Sequence, residues 1–60
     1  MGVKLAYSLT ETAAVLGVSR PTVYALIKQP GFPVFQIGSR KLVSVDGLRE
    51  SVLKEAGRND

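Results

Sequence analysis

Gly17-Val18-Ser19-Arg20-Pro21-Thr22-Val23-Tyr24-Ala25-Leu26-Ile27-Lys28 is the stretch whose reading decides the fold. It reads as a helix that opens on polar and basic residues, with a proline almost at its start. Ser19 is suited to the cap position, because a serine there can serve the free N–H groups of the first turn. Pro21 fits just inside, since first-turn N–H groups have no intrahelical acceptor and losing one costs little. Val23, Leu26 and Ile27 recur at i, i+3 and i+4, the spacing of one apolar stripe. That leaves Arg20, Pro21, Tyr24, Ala25 and Lys28 on the other side. The helix ends before Pro30, because the residue ahead of a proline is pushed out of the helical region. A helix that only packed would have little use for Arg20-Pro21-Thr22 at its opening.

Upstream, Ser8-Leu9-Thr10-Glu11 is a capping box, in which the serine hydroxyl and the glutamate carboxylate each accept from the other residue's backbone N–H. Tyr7 with Thr12 or Ala13 supplies the accompanying contact. Leu9, Ala13 and Leu16 form an apolar stripe. A first helix is therefore predicted over Leu9 to Leu16, stopping at Gly17, which tolerates the left-handed conformation of many helix ends.

Downstream, Gln29-Pro30-Gly31-Phe32-Pro33 breaks the helical pattern. Val34-Phe35-Gln36-Ile37 and Lys41-Leu42-Val43-Ser44-Val45 then read as two strands around Gly38-Ser39-Arg40, a β-hairpin. Two registers are open. A two-residue Gly-Ser turn sets Leu42 opposite Phe35, and a three-residue loop sets Val43 there. The longer loop is favoured, because it puts Phe35, Ile37 and Val43 on one face, and Phe32 and Phe35 are both expected in the core. Leu48, Val52 and Leu53 mark a third helix, with Ser44 or Asp46 as its cap, the acids Asp46 and Glu50 near its positive N-terminal end, and Gly57 at its end. Arg58-Asn59-Asp60 is expected to fray.

No repeat, low-complexity tract or linker interrupts this order, so residues 1–60 are expected to form a single domain. A chain of 60 residues buries only about 60% of its unfolded surface, which allows one small core. Without cysteine or histidine there is neither a disulfide framework nor the usual set of zinc ligands, and no cofactor or metal is expected. Nor is there a paired-carboxylate cluster or a core large enough to enclose a substrate pocket, so catalysis and a small-molecule substrate are not expected. No long apolar run suggests a membrane span or secretory leader, and the expected location is cytoplasmic, on the nucleoid.

The net charge is only +3, but its distribution is informative. Thr12 to Val45 holds Arg20, Lys28, Arg40 and Lys41 and no acid, while the acids sit at Glu11 and from Asp46 onward. Such segregation resembles the electrostatic footprint of a phosphate binder, the other reading being four charges that simply solvate a small surface. Arg49, Lys54 and Arg58 interleave with acids and read as a solvated face.

Two short helices joined through Gly-Val-Ser form a helix-turn-helix arrangement, whose second helix presents its N-terminal residues to base edges in the major groove. The hairpin tip Gly38-Ser39-Arg40-Lys41 suits a wing that touches the DNA backbone or minor groove. The run from Tyr7 through "LGVSRPTVY" to Tyr24, followed by Gly31-Phe32-Pro33 and Ile37-Gly38-Ser39-Arg40, resembles the excisionase-type and AlpA-type proteins, small relatives of the MerR DNA-binding domain. The resemblance covers roughly Tyr7 to Leu53. It implies an α+β winged helix-turn-helix with two N-terminal helices, a β-hairpin wing and a C-terminal helix. It further implies a recognition helix, capped by Ser19, that carries Arg20, Pro21, Thr22, Tyr24 and Lys28, and a wing of Ser39, Arg40 and Lys41. Family members control excision of mobile elements by a tyrosine integrase or act as small transcriptional regulators. The expected partners are double-stranded DNA and, beside it, an integrase or neighbouring copies of the chain. The reading from another class is a protein-interaction module that docks an integrase or polymerase partner.

Overall fold

A computed structural model describes residues 4–57, so Arg58-Asn59-Asp60 lies outside the described residues. The elements run β1 (Ala6–Ser8), α1 (Leu9–Leu16), α2 (Arg20–Ile27), β2 (Val34–Ile37), β3 (Arg40–Ser44) and α3 (Val45–Gly57). The strands form one antiparallel sheet in the order β1-β3-β2. The two N-terminal helices, the hairpin and the C-terminal helix are as expected, and together they make an α+β winged helix-turn-helix.

The start of α1 is fixed by its capping box. Glu11 N–H donates to Ser8 Oγ at 3.1 Å, and Ser8 N–H donates to Glu11 Oε1 at 2.9 Å. Lys4 Nζ donates to the other carboxylate oxygen. The Lys4 ammonium, helped by the Ser8 N–H, holds the Glu11 carboxyl below its ordinary range. The buried Thr12 hydroxyl donates to Ser8 O at 2.8 Å, so its polar atom is satisfied inside the core. At the other end Gly17 takes φ 74°, and the N–H groups of Val18 and Gly17 donate to Ala13 O at 3.0 Å and Ala14 O at 3.3 Å. This pair of bonds is a Schellman motif, which closes α1 and turns the chain toward α2 within three residues.

Strand β3 is the hub, because β1, β2, α1 and α3 all pack against it, and α1 in turn joins α2 to the sheet. The buried core is small: Thr12 and Ala13 from α1, Val23 from α2, Val43 from β3 and Leu48 from α3. Leu26 and Ile27 are half-buried beside Val23, as the stripe on α2 requires. Gly47 N–H donates to Ser44 Oγ at 3.1 Å, which identifies Ser44 as the side-chain cap of α3.

Two expectations need correction. The hairpin turns through two residues, with Phe35 opposite Leu42 and Ile37 opposite Arg40. Gly38 alone among the turn residues has positive φ, at 60°, the pattern of a type II′ turn with glycine first. Because a one-residue change of register swaps every side chain to the other face, Val43 pairs with Val34 rather than Phe35 and turns into the core. Phe35 is consequently not a core residue: it is 41% exposed, with Ile37 at 62%, on the outer face of the sheet. Phe32 is half-buried. The stripe on α3 is likewise only partly used. Leu48 is buried, but Val52 and Leu53 remain exposed, because α3 packs chiefly on β3. A third strand, β1, was not anticipated. It is three residues long and exists only by pairing with β3, where Tyr7 lies opposite Val43.

Candidate nucleic-acid interface

The exposed side of α2 begins at its first residue. Ser19 has the extended backbone of an N-cap, at φ −76° and ψ 160°, and its carbonyl accepts from Thr22 N–H at 3.1 Å and Val23 N–H at 3.3 Å. Its hydroxyl makes no capping bond to the backbone. It pairs instead with the Thr22 hydroxyl, Oγ to Oγ1, at 2.9 Å. Pro21 occupies the second helical position, where its missing N–H leaves no bond unmade. The first turn is therefore held twice, by a locked φ and by a hydroxyl pair, while Arg20, Pro21 and Thr22 all stay exposed.

One turn further on, Arg20 Nη2 donates to Tyr24 OH at 3.4 Å, the long end of hydrogen bonding. Residues i and i+4 meet on a helix surface, so this contact leans the guanidinium along the outer face. Lys28 stands at the C-cap, exposed, where a cation also suits the negative end of the helix. Arg20, Pro21, Thr22, Tyr24 and Lys28 thus all lie on exposed surface of α2, as the periodicity predicts.

In the wing, Ser39 is in the turn, and Gln36 Nε2 donates to Gly38 O at 3.0 Å, a clasp across the tip. Arg40 lies opposite Ile37, and Lys41 opposite Gln36. Neighbouring residues of a strand point to opposite faces, so the two wing cations diverge: Arg40 joins the outer face with Phe35 and Ile37, and Lys41 the inner face with Val43. Among the described residues none of Arg20, Lys28, Arg40 and Lys41 has a carboxylate partner. Their charge stays available to an anion.

The hydroxyl pair and the Arg20 to Tyr24 contact were not read from the sequence. Ser19 and Thr22 at i, i+3 would have been the signal, but serine ahead of a helix reads first as a backbone cap. Ile37 beside Arg40 was missed because the longer loop turns it inward.

Two short helices joined by a tight turn, the second exposing its opening turn, followed by a hairpin with a cationic tip, define a winged helix-turn-helix protein. The chain belongs to the helix-turn-helix domain family, which it matches over residues 6–55, the family of AlpA- and excisionase-type small DNA-binding domains. No curated protein and no solved structure matches it. Its fold is that of a binder of double-stranded DNA. Among the described residues no helix is long and apolar enough to cross a membrane.

Proposed function

We propose that residues 1–60 act as one sequence-specific DNA-binding domain without catalytic activity, an excisionase or a small regulator of transcription from a phage or other mobile element. In this reading α2 enters the major groove, where Arg20 and Thr22 address base edges and Tyr24 and Lys28 meet the flanking backbone. Ser19 and Pro21 hold the opening turn against the DNA, and Ser39, Arg40 and Lys41 carry the wing onto phosphates. The observation that supports it most is the exposed, twice-held first turn of α2, where Arg20 has no carboxylate partner among the described residues. An arginine there has the donor fork that matches the guanine major-groove edge.

Footprinting on the DNA that flanks its own gene, followed by gel-shift titration, tests the reading. Arg20→Ala should lose ~1–3 kcal/mol on the footprinted site and relax preference at one position. Arg40→Ala should weaken binding to all duplexes and lower the slope of log K against log salt by about 1. Equal losses on specific and random duplex would refute base reading by Arg20. An unchanged salt slope would remove Arg40 from the interface. Protection inside an attachment site, with integrase-dependent excision that needs this chain, selects the excisionase role, and protection over a promoter selects the regulator.

A further inference from the structure

The sheet has two edges, and they are finished differently. At the β1 edge Ala6 and Ser8 turn outward, but Ser8 N–H is taken by Glu11 and Ser8 O by the Thr12 hydroxyl, and the Lys4–Glu11 ion pair sets charge beside the remaining Ala6 groups. Charge and a covering helix are how sheets close an edge against pairing. The β2 edge has neither. Its residues Val34-Phe35-Gln36-Ile37 carry no charge. Ser44 N–H donates to Pro33 O at 2.9 Å, and antiparallel bonding alternates along the strand, so Phe35 and Ile37 bond inward to β3 while Val34 and Gln36 turn their backbone groups outward. Val34 N–H is occupied by Phe32 O at 2.8 Å. Gln36 N–H and C=O therefore form an open donor and acceptor pair on the edge, flanked by the exposed side chains of Phe35 and Ile37.

We infer that this edge pairs with β2 of a second copy, antiparallel about a two-fold axis at Gln36, joining two three-stranded sheets into one of six strands. The edge is complementary to itself. With Gln36 opposite Gln36 of the other copy, each N–H meets the other's C=O. Phe35 then lies opposite Ile37 in both directions, at the close spacing of a non-hydrogen-bonded pair. Charge permits this arrangement: the strands run oppositely, so the two tips with Arg40 and Lys41 lie at opposite ends, and no like charges meet across the seam. A second copy supplies the matching backbone pair, the apolar Phe35 and Ile37 and an uncharged strand without any further partner. Pairing over four residues stays well below the ~1,200 Å² of stable complexes, so the association is expected to be weak, with a dissociation constant on the order of 0.1–1 mM.

The test uses the full chain without DNA, so its result is independent of the DNA-binding reading. Sedimentation equilibrium from ~20 μM to ~1 mM should show the average mass rising from 6.4 kDa toward twice that. Over the same range the Gln36 amide should become protected from exchange. Gln36→Pro, which removes the outward N–H and, with the side chain, the clasp to Gly38 O, and Ile37→Lys, which charges the edge and leaves that clasp in place, should each weaken association at least ~tenfold with the circular dichroism spectrum unchanged. Leu53→Lys, on α3, should leave it unchanged. A mass that stays monomeric at ~1 mM overturns the inference. So does association that survives both edge variants, or that Leu53→Lys abolishes.

Discussion

Replacing Gly47 by alanine sets two known effects against each other. Gly47 is the third residue of α3, and glycine inside a helix costs about 1 kcal/mol relative to alanine. By propensity alone, Gly47→Ala stabilises. The packing predicts the reverse. A Cβ at position 47 would lie 2.5 Å from Pro33 Cβ and 3.2 Å from Pro33 Cγ, whereas carbon atoms in contact sit about 3.5–4.0 Å apart. Helix and proline would have to separate by roughly 1 Å. Pro33 cannot swing aside as a flexible side chain would, because its ring is part of the backbone and its carbonyl holds Ser44 N–H at 2.9 Å. Nor can the start of α3 retreat freely, since Gly47 N–H is held by Ser44 Oγ at 3.1 Å. Forcing the extra carbon in costs ~1–3 kcal/mol, and stretching one of these bonds adds ~1 kcal/mol. After the gain in propensity is subtracted, the net loss is ~1–3 kcal/mol. A chain of this size loses about 4–8 °C of Tm per kcal/mol. The assay is thermal and urea unfolding followed by circular dichroism, with Gly57→Ala as control. Gly57 ends the same helix and a Cβ there meets nothing within 4 Å, so the same substitution should be neutral or stabilising. A Gly47→Ala protein at least as stable as wild type would refute the close approach of α3 to Pro33.

Other outcomes follow from the first helix. Ser8→Ala removes the acceptor for Glu11 N–H and should cost ~1 kcal/mol in urea unfolding. The Glu11 carboxyl, held below its ordinary value of 4.5 by Lys4 and then by the Ser8 N–H, contributes stability above that value and loses it as the pH falls through the lowered one. Acid unfolding should therefore be less steep in Glu11→Gln, and a curve unchanged from wild type would remove this contribution.

What the sequence disclosed follows the range of the interactions. Helix α1 was legible to the residue, and α2 in its start and its approximate end, because their signals are local. The capping box lies within four residues, Gly17 marks the end of α1, and Pro21 and Pro30 bracket α2. The exposed face of α2 followed from the same periodicity, and with it the positions of Arg20, Thr22, Tyr24 and Lys28. The strands were harder, because their arrangement depends on a partner distant in sequence. β1 has three residues and no alternation of its own, so only β3 makes it a strand. Once β3 is central, Val43 becomes the position covered from both sides, by Tyr7 and Val34. That choice of face pulls Phe35 out of the core. An aromatic residue in a short hairpin looks internal until the third strand decides which face is inside.

The opening turn of α2 also shows how little side-chain hydrogen bonding is left there for reading DNA. Pro21 has no donor. The hydroxyls of Ser19 and Thr22 already hold each other, so each has part of its bonding capacity engaged. Arg20 brings five donors and directs one at Tyr24. Under the proposed reading, base recognition by the first turn therefore concentrates on Arg20, and a good bidentate contact is worth ~1–3 kcal/mol. Specific DNA binders exceed their non-specific affinity by ~4–10 kcal/mol, more than one such contact supplies. The remainder has to come from DNA shape read by the wing or from more than one copy on the site. A binding site containing a single conserved guanine and no repeat, bound tightly by one chain, would contradict this.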